Sequence, residues 1–469
     1  MELDDIQDLV YGYSRLPHAR FLFVRFGPAE QARNWLAHMA GQVTTADRRK
    51  GSSDPALNVA LTWVGLAALG VTEKTLYSFP EEFRVGMAGR AEQLGDIDVN
   101  DPRHWEPAGP GRISLHAMVT VYAATENELD QRCRQVSDDL AGCGEVVYSQ
   151  DGHRLRNDGV PPVGGNQDKP LSREHFGFVD GLSQPIVEGL KNNNVAERLP
   201  GQGVLQEDGT WRMLRAGEII LGYLDEENVQ PACPTPATLA RNGSYLVYRK
   251  LKQDVAAFRR LKAEQGKNYP GGGEALAAKM MGRWPDGTPL EPPGEREKTT
   301  SGTQNGAFTY ADDLDGLGCP VGAHIRRVNP RDGFTARDKI VHRHRMLRRA
   351  IPYGSPLPEG LLDDDGTEER GLLFFCLCAS IARQFEFVQS QWSNDGNSLG
   401  LGNDQDPLLS NARGGTNFTI PGSPPWFITA IPPLVTVRGG EYFFLPGRRA
   451  LASLSTCAPQ EPSTRSLQE

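Results

Sequence analysis

The pattern of apolar and polar positions predicts strands and helices in alternation. Residues 21–26 read Phe-Leu-Phe-Val-Arg-Phe, the aromatic and aliphatic content of a strand. Pro28, Ala29 and Glu30 then open a helix to about Val43, with proline at its start and an acid in its first turn. Leu57 to Leu69 fits a strand running into a helix, Thr72 to Arg90 a helix, and Ile113 to Tyr122 an alternating strand. Thr125 to Leu140 is charged and periodic, a helix, and Val146 to Tyr148 a further strand. With one helix set aside as an insertion, this order is close to a split βαβ, or ferredoxin-like, arrangement.

The Gly- and Pro-rich stretch from Asn157 to Pro170 reads as a loop, and so do residues 189–217. A second series follows. It has strands at Ile219 to Leu224 and Ser244 to Lys250, then helices at Lys252 to Gln265 and Gly271 to Trp284. A long polar excursion, Asp286 to Thr309, precedes a dense apolar strand at Gly371 to Cys378 and a helix at Ala379 to Trp392. Strands at Phe427 to Val437 and Glu441 to Leu445 end the fold, and residues from about Ala458 read as a disordered tail. The two halves share coarse element order without a close sequence repeat.

Composition narrows the classes. The chain has 469 residues, 38% hydrophobic and 23% charged, which is ordinary for a globular protein of two or three domains. Its net charge of 50 − 59 = −9 gives no basic footprint for nucleic acid or an anionic membrane, and no apolar run reaches bilayer length. The acidic start, Met1-Glu2-Leu3-Asp4-Asp5, lacks the order of a signal peptide. Seven scattered cysteines without a CxxC pair read as reduced thiols, so a cytoplasmic protein is expected.

Candidate chemistry concentrates in a few segments. His324 follows small residues, Gly322 and Ala323, and is trailed by Arg326, Arg327, Asn329 and Arg331. Small neighbours let a planar partner approach an imidazole, and arginines can neutralise its carboxylates. The same pattern also suits a histidine packed beside a solvated basic turn. Asp180, between Gly177 and Gly181 and next to Phe178 and Val179, is a carboxylate in a greasy turn. It is either a general acid/base or an Asx-turn cap. In the row Arg345 to Gly354, one inward arginine could stabilise negative charge on a bound oxygen ligand, while the rest of the row reads as basic surface. His342 and His344 form an HxH pair that on a strand would face one side, as two zinc ligands can, though no third ligand is evident. Gly271-Gly272-Gly273 lacks the ending of a phosphate loop, and Gly396 to Gly400 matches GxSxG without the strand and helix that a nucleophile elbow needs.

Taken in order, several of these blocks resemble the dye-decolorizing peroxidase family. They are Leu3 to Val10, Gly177-Phe178-Val179-Asp180-Gly181 (similar to the family's GxxDG signature), Gly322 to Arg331, Met346 to Gly354 and Arg438 to Pro446. The resemblance implies an α+β fold of two ferredoxin-like domains in tandem, of the dimeric α+β barrel type, with the haem in the C-terminal domain. The expected bounds are 1–200, carrying the GxxDG segment, and 201–457, with 458–469 as tail. It further implies haem b (iron protoporphyrin IX) as cofactor and His324 as the proximal iron ligand. Asp180 becomes the distal acid/base and Arg348 the distal arginine, with Arg345 and Arg349 as neighbours able to take that place. Leu372 and Phe374 are expected to line the distal pocket and Arg326 to meet a haem propionate. An acid should bond the second nitrogen of His324; Glu386 is the expectation. The implied activity reduces hydrogen peroxide and oxidises dyes, phenols and other small aromatic one-electron donors through an oxoferryl state. Trp211, Trp392 and Tyr353 are candidate electron relays, or simply packed rings with a polar tip. No nucleic-acid or membrane partner is expected, and an exposed sheet edge leaves a homo-oligomer open. The alternatives are a haem-handling protein with little peroxidase turnover and a non-haem metal hydrolase using His342 and His344.

Overall fold

The computed structural model describes residues 1–47, 52–155, 172–191, 195–290, 306–333, 341–411 and 414–456. The expected loop at 157–170, most of the excursion at 286–309 and the expected tail lie outside the described residues. The strands, in chain order, are β1 (His18–Phe26), β2 (Ala56–Leu61), β3 (Ala117–Ala123), β4 (Gly144–His153), β5 (Val204–Leu205), β6 (Trp211–Arg212) and β7 (Ser244–Gln253). They continue with β8 (Leu347–Arg348), β9 (Ile351–Tyr353), β10 (Gly371–Cys378), β11 (Thr416–Ile420), β12 (Trp426–Ile431) and β13 (Val435–Leu445).

One antiparallel sheet runs β4-β1-β3-β2-β13-β7-β10-β8, with β9 also paired to β10. The order β4-β1-β3-β2 is the ferredoxin-like order of four strands. The second half repeats it, with β7 as first strand, β8 and β9 as second, β10 as third and β13 as fourth. The halves join where Phe444 of β13 pairs with Leu61 of β2. At the far ends, Gly152 of β4 lies against Ile351 and Pro352 of β9. The sheet therefore curls back on itself as an α+β barrel, and the duplication suspected from element order is explicit in the strand order.

The period-two alternation of the strands divides the core. On β1, Phe21 and Phe23 enter the barrel interior with Tyr122, Tyr248, Phe375 and Phe443. Leu22, Val24 and Phe26 point the other way, into a layer with Trp35, Leu36 and Met39 of the helix Ala29–Gln42. On β10, Leu373, Phe375 and Leu377 fill the barrel, leaving Leu372 and Phe374 on the opposite face. That face becomes a wall of the site.

Several elements depart from the sequence pattern. Thr72 to Arg90 is broken into Glu73–Leu76 and Glu81–Val85, because Pro80 cannot continue a helix. Ile219 to Leu221 is an irregular buried turn and not a strand. Its backbone is paired piecemeal, through Leu221 N–H to the Gly243 carbonyl and Ser244 Oγ to the Ile219 carbonyl. Fully buried apolar runs lose the alternation that identifies strands. Residues 189–217 are not all loop, since they hold the helix Val195–Gln202 and the hairpin of β5 and β6. The helix after β10 is widened into π turns at Ala382–Glu386 and Val388–Ser393, shown by Glu386 N–H bonding the Ile381 carbonyl at 2.9 Å. The His342–His344 pair lies on the short helical turn Val341–His344 and not on a strand. His344 stacks on Phe387 and bonds the Arg383 carbonyl. Among the described residues no group of three metal-ligating side chains gathers around it.

The segment 172–185 docks onto this frame through His175, whose Nε2 lies 2.8 Å from the Tyr353 carbonyl. A carbonyl only accepts, so Nε2 carries the proton. Burial pushes the ring down to about 4 and keeps it neutral at pH 7. The unfolded chain takes up this proton near pH 6.5 and the folded chain only near 4, so stability is lost as pH falls through that window. The loss is on the order of 3 kcal/mol. The stability of the parent relative to His175→Gln should therefore fall by about that amount between pH 6.5 and 4, and a constant difference would contradict the assignment. In the barrel, Phe375→Ala should cost about 3–5 kcal/mol, because its ring packs on Phe21 and Tyr248 at centroid distances of 4.7 and 5.0 Å. Phe427→Ala, at an exposed ring on β12, should stay within about 0.5 kcal/mol in the same denaturation experiment.

Candidate active site

Antiparallel register builds the sheet wall of the cavity. Leu372 of β10 pairs with Leu251 of β7, and Leu251 pairs with Val437 of β13. Phe374 pairs with Arg249 on the same face. This row fronts two adjoining lobes of about 210 and 140 Å³. Both lobes are lined by His324, Asp180, Arg348, Leu372, Leu251 and Val435. Phe374 lines the larger one.

His324 opens the short helix His324–Val328. Arg327 ties that helix to the π-helical segment through the Trp392 and Asp395 carbonyls. Arg326 binds the other side. Its guanidinium bonds Asp313 Oδ2 at 3.0 Å and the Cys319 carbonyl at 2.6 Å, and lies over the Tyr310 ring. Arg326 lines neither lobe, so the expectation of a propionate contact is corrected: its charge is already neutralised by Asp313. His324 Nδ1 lies 2.8 Å from Oδ2 of fully buried Asp406. Burial pushes the Asp406 carboxyl up, but the His324 ring and the Leu408 and Leu409 N–H groups outweigh it and hold it below the ordinary carboxylate range. The carboxylate therefore accepts the Nδ1 proton, and Nε2 keeps a lone pair without a hydrogen-bond partner among the described residues.

Asp406 replaces the expected Glu386. That glutamate is committed elsewhere, paired with Arg90 at 2.6 Å and accepting the Tyr442 hydroxyl at 3.0 Å. The signal for Asp406 lies in Asp406-Pro407-Leu408-Leu409, where an acid before proline caps the N–H groups of a tight apolar turn.

Asp180 is carried by a turn between two left-handed glycines, Gly177 at φ +100° and Gly181 at φ +80°. Its own N–H bonds the Ser172 carbonyl at 2.9 Å. Its carboxyl makes no hydrogen bond or ion pair with any described residue and borders both lobes, so it is not an Asx-turn cap.

The three arginines of the row at 345–349 separate cleanly. Arg348, on β8, lines both lobes and donates to the Leu182 carbonyl at 2.9 Å. Arg345 is buried and lines the larger lobe, with its Nε unpartnered, and burial pushes its guanidinium down to about 9. Arg349 points away, to the Leu9 and Val10 carbonyls. Arg331 lines the smaller lobe, donates to Ser183 Oγ at 2.8 Å and is pushed down to about 10 by burial. None of Arg331, Arg345 and Arg348 forms an ion pair among the described residues. Arg331 and Arg345 are buried and Arg348 half-buried; buried cations without an ion-pair partner are costly, and such a cluster suits an anion.

Residues 225–423 match the family described as Dyp-type peroxidase, C-terminal. A multifunctional dye peroxidase of Amycolatopsis sp. is 30% identical, over 96% of this chain and 96% of that protein. A dye-decolorizing peroxidase of Mycena epipterygia is 28% identical, over 97% of this chain and 87% of its own. Among solved structures, a DyP-type peroxidase of Anabaena sp. superposes with a TM-score of 0.77 at 28% identity, covering 96% of this chain and 94% of that one. With a near full-length relative at this identity, the chain belongs to the dye-decolorizing peroxidase family.

Proposed function

We propose that the cavity holds haem b and that His324, Asp180 and Arg348 run hydrogen peroxide reduction around it. The observation that carries this reading is one cavity bordered by a lone-pair imidazole nitrogen, an unpartnered carboxyl and a guanidinium. The residues present fit the group. His324 Nε2 is free to ligate an iron, and Leu251, Leu372, Phe374 and Val437 offer an apolar face to a flat macrocycle. Arg331 and Arg345 supply buried positive charge for two propionates, a role passed to them from Arg326. When bound, the haem would supply the iron site for peroxide and the two electrons that reduce it, which one-electron donors then replace.

The chain's own residues do the rest. Asp406 holds the His324 ring in one tautomer and one orientation, leaving Nε2 as the ligating nitrogen. The Asp180 carboxyl takes a proton from the inner peroxide oxygen and returns it to the outer one, so that water is the leaving group. Arg348 is fixed by its bond to the Leu182 carbonyl and faces the same space, where its charge favours the electron density that builds on the peroxide. Leu372 and Phe374 keep bulk water from that space. The donors are small aromatics such as phenols, in keeping with a solved relative bound to 2,6-dimethoxyphenol. We keep the division at 1–200 and 201–457, which the repeated strand order supports. We also keep a cytoplasmic location, supported by free thiols at Cys133, Cys143, Cys233, Cys319, Cys376 and Cys378. No helix among the described residues is long and apolar enough to cross a membrane.

Asp180→Asn should lower the second-order rate constant with peroxide by about 10²- to 10⁴-fold at unchanged haem content, measured by stopped-flow absorbance. A rate within twofold of the parent would remove Asp180 from the proton transfer. Asp406→Ala should speed haem loss to an excess of apo-myoglobin by about 10- to 100-fold, because Nδ1 loses its acceptor. Glu386→Gln should leave that rate unchanged, and the reverse order of effects would contradict the pairing.

A further inference from the structure

The Asp180 carboxyl has no partner of its own, so its position is set entirely by the turn that carries it. That turn is gathered by a second buried carboxyl, Glu174. One Glu174 oxygen accepts the Phe176 N–H and the other the Phe178 N–H, both at 2.8 Å. The Gln253 side chain donates to the same carboxylate at 2.5 Å. Gln253 ends β7, two residues after Leu251, on the same strand face that fronts the cavity. The backbone closes the turn as well, through Gly177 N–H to the Glu174 carbonyl at 2.9 Å and Glu174 N–H to the Phe178 carbonyl at 3.0 Å. Phe176 and Phe178 both pack on Phe258. Glu174 itself borders the smaller lobe and is 8% exposed. Burial pushes its carboxyl up to about 7 against the three donated hydrogen bonds, and Asp180 adds to that rise. A carboxyl is retained at this cost where it satisfies two N–H groups of a buried turn that nothing else reaches.

We propose that Glu174 is a positioning residue for Asp180: it clamps the 176–178 turn to Gln253 on the sheet wall and so fixes where the Asp180 carboxyl stands in the cavity. This rests on the proton-transfer role of Asp180 given above. Glu174 touches neither peroxide nor cofactor in this account; it acts through the backbone.

The test uses the haem-loaded chain and the variants Glu174→Ala, Glu174→Gln, Asp180→Asn and Glu174→Ala with Asp180→Asn. Displacing a reacting group by about 1 Å costs on the order of 10²-fold. Glu174→Ala should therefore lower the rate constant with peroxide about 10- to 100-fold. The Soret band, the haem content and the KM for a phenol donor should stay at the parent's values. Glu174→Gln should lose less than Glu174→Ala, about fivefold, since its single amide oxygen still accepts one turn N–H while the amide nitrogen cannot accept the other, so exchange rises at one of Phe176 and Phe178. In the Asp180→Asn background, Glu174→Ala should cost nothing further. Amide exchange at residues 176–180, followed in both haem-free and loaded chains, should rise in Glu174→Ala and stay at the parent level in Asp180→Asn. If Glu174→Ala reacts like the parent while Asp180→Asn is impaired, or if the two losses multiply, Glu174 does not position Asp180. If Asp180→Asn itself reacts like the parent, the acid/base reading fails and the positioning role falls with it. Should Glu174→Ala fail to fold, amide exchange in Glu174→Gln decides: an unchanged rate at Phe176 and Phe178 would overturn the clamp.

Discussion

The site depends on one hydrogen bond, from His324 Nδ1 to the buried carboxylate of Asp406. A free imidazole has two tautomers and a rotating ring. Here an acceptor within the protein takes one nitrogen, and the other is left as a lone pair facing the cavity. Asp406 can do this while fully buried because the Leu408 and Leu409 N–H groups share its charge. The arginines beside His324 belong to the same construction. Arg326 and Arg327 secure the short helix to Asp313 and to the 392–395 backbone, which is why neither is spare for a ligand.

A second constraint is electrostatic. Arg331, Arg345 and Arg348 converge on the cavity without carboxylate partners among the described residues, and burial lowers the proton affinity of Arg331 and Arg345. Such a cluster is unfavourable in an empty apolar cavity and favourable around a dianionic group. In the proposed reading the same positive field also favours the charge that develops on peroxide. In that reading, cofactor retention and catalysis draw on one set of charges, held against the apolar wall of the curled sheet.

Much of this was legible in the chain. Runs of aliphatic and aromatic residues located most strands of the sheet, including the one that carries Leu372 and Phe374. Short local patterns singled out His324 and Asp180, and the fold brings both to one cavity. What escaped was non-local or lacked periodicity. Asp406 sits in a loop 82 residues from its partner, and no spacing rule links them. Glu386 looked eligible on its helix but was already claimed by Arg90 and Tyr442, a competition visible only in three dimensions. Arg326 had the right charge next to the right histidine, yet an acid 13 residues upstream takes its guanidinium. Ile219 to Leu221 has the composition of a strand and the burial of one, without a neighbouring strand to complete the ladder.

The measurement that tests the account most directly is a titration of the purified, haem-free chain with haem, followed by its visible spectrum, in the parent and in His324→Ala. The parent should give a saturable Soret band at one haem per chain that shifts on one equivalent of peroxide and returns on adding a phenol. In His324→Ala that band should be weakened and displaced, because the proposed iron ligand, Nε2, is removed. No saturable uptake by the parent, or an identical spectrum in the two proteins, would contradict the claim that this cavity holds haem through His324.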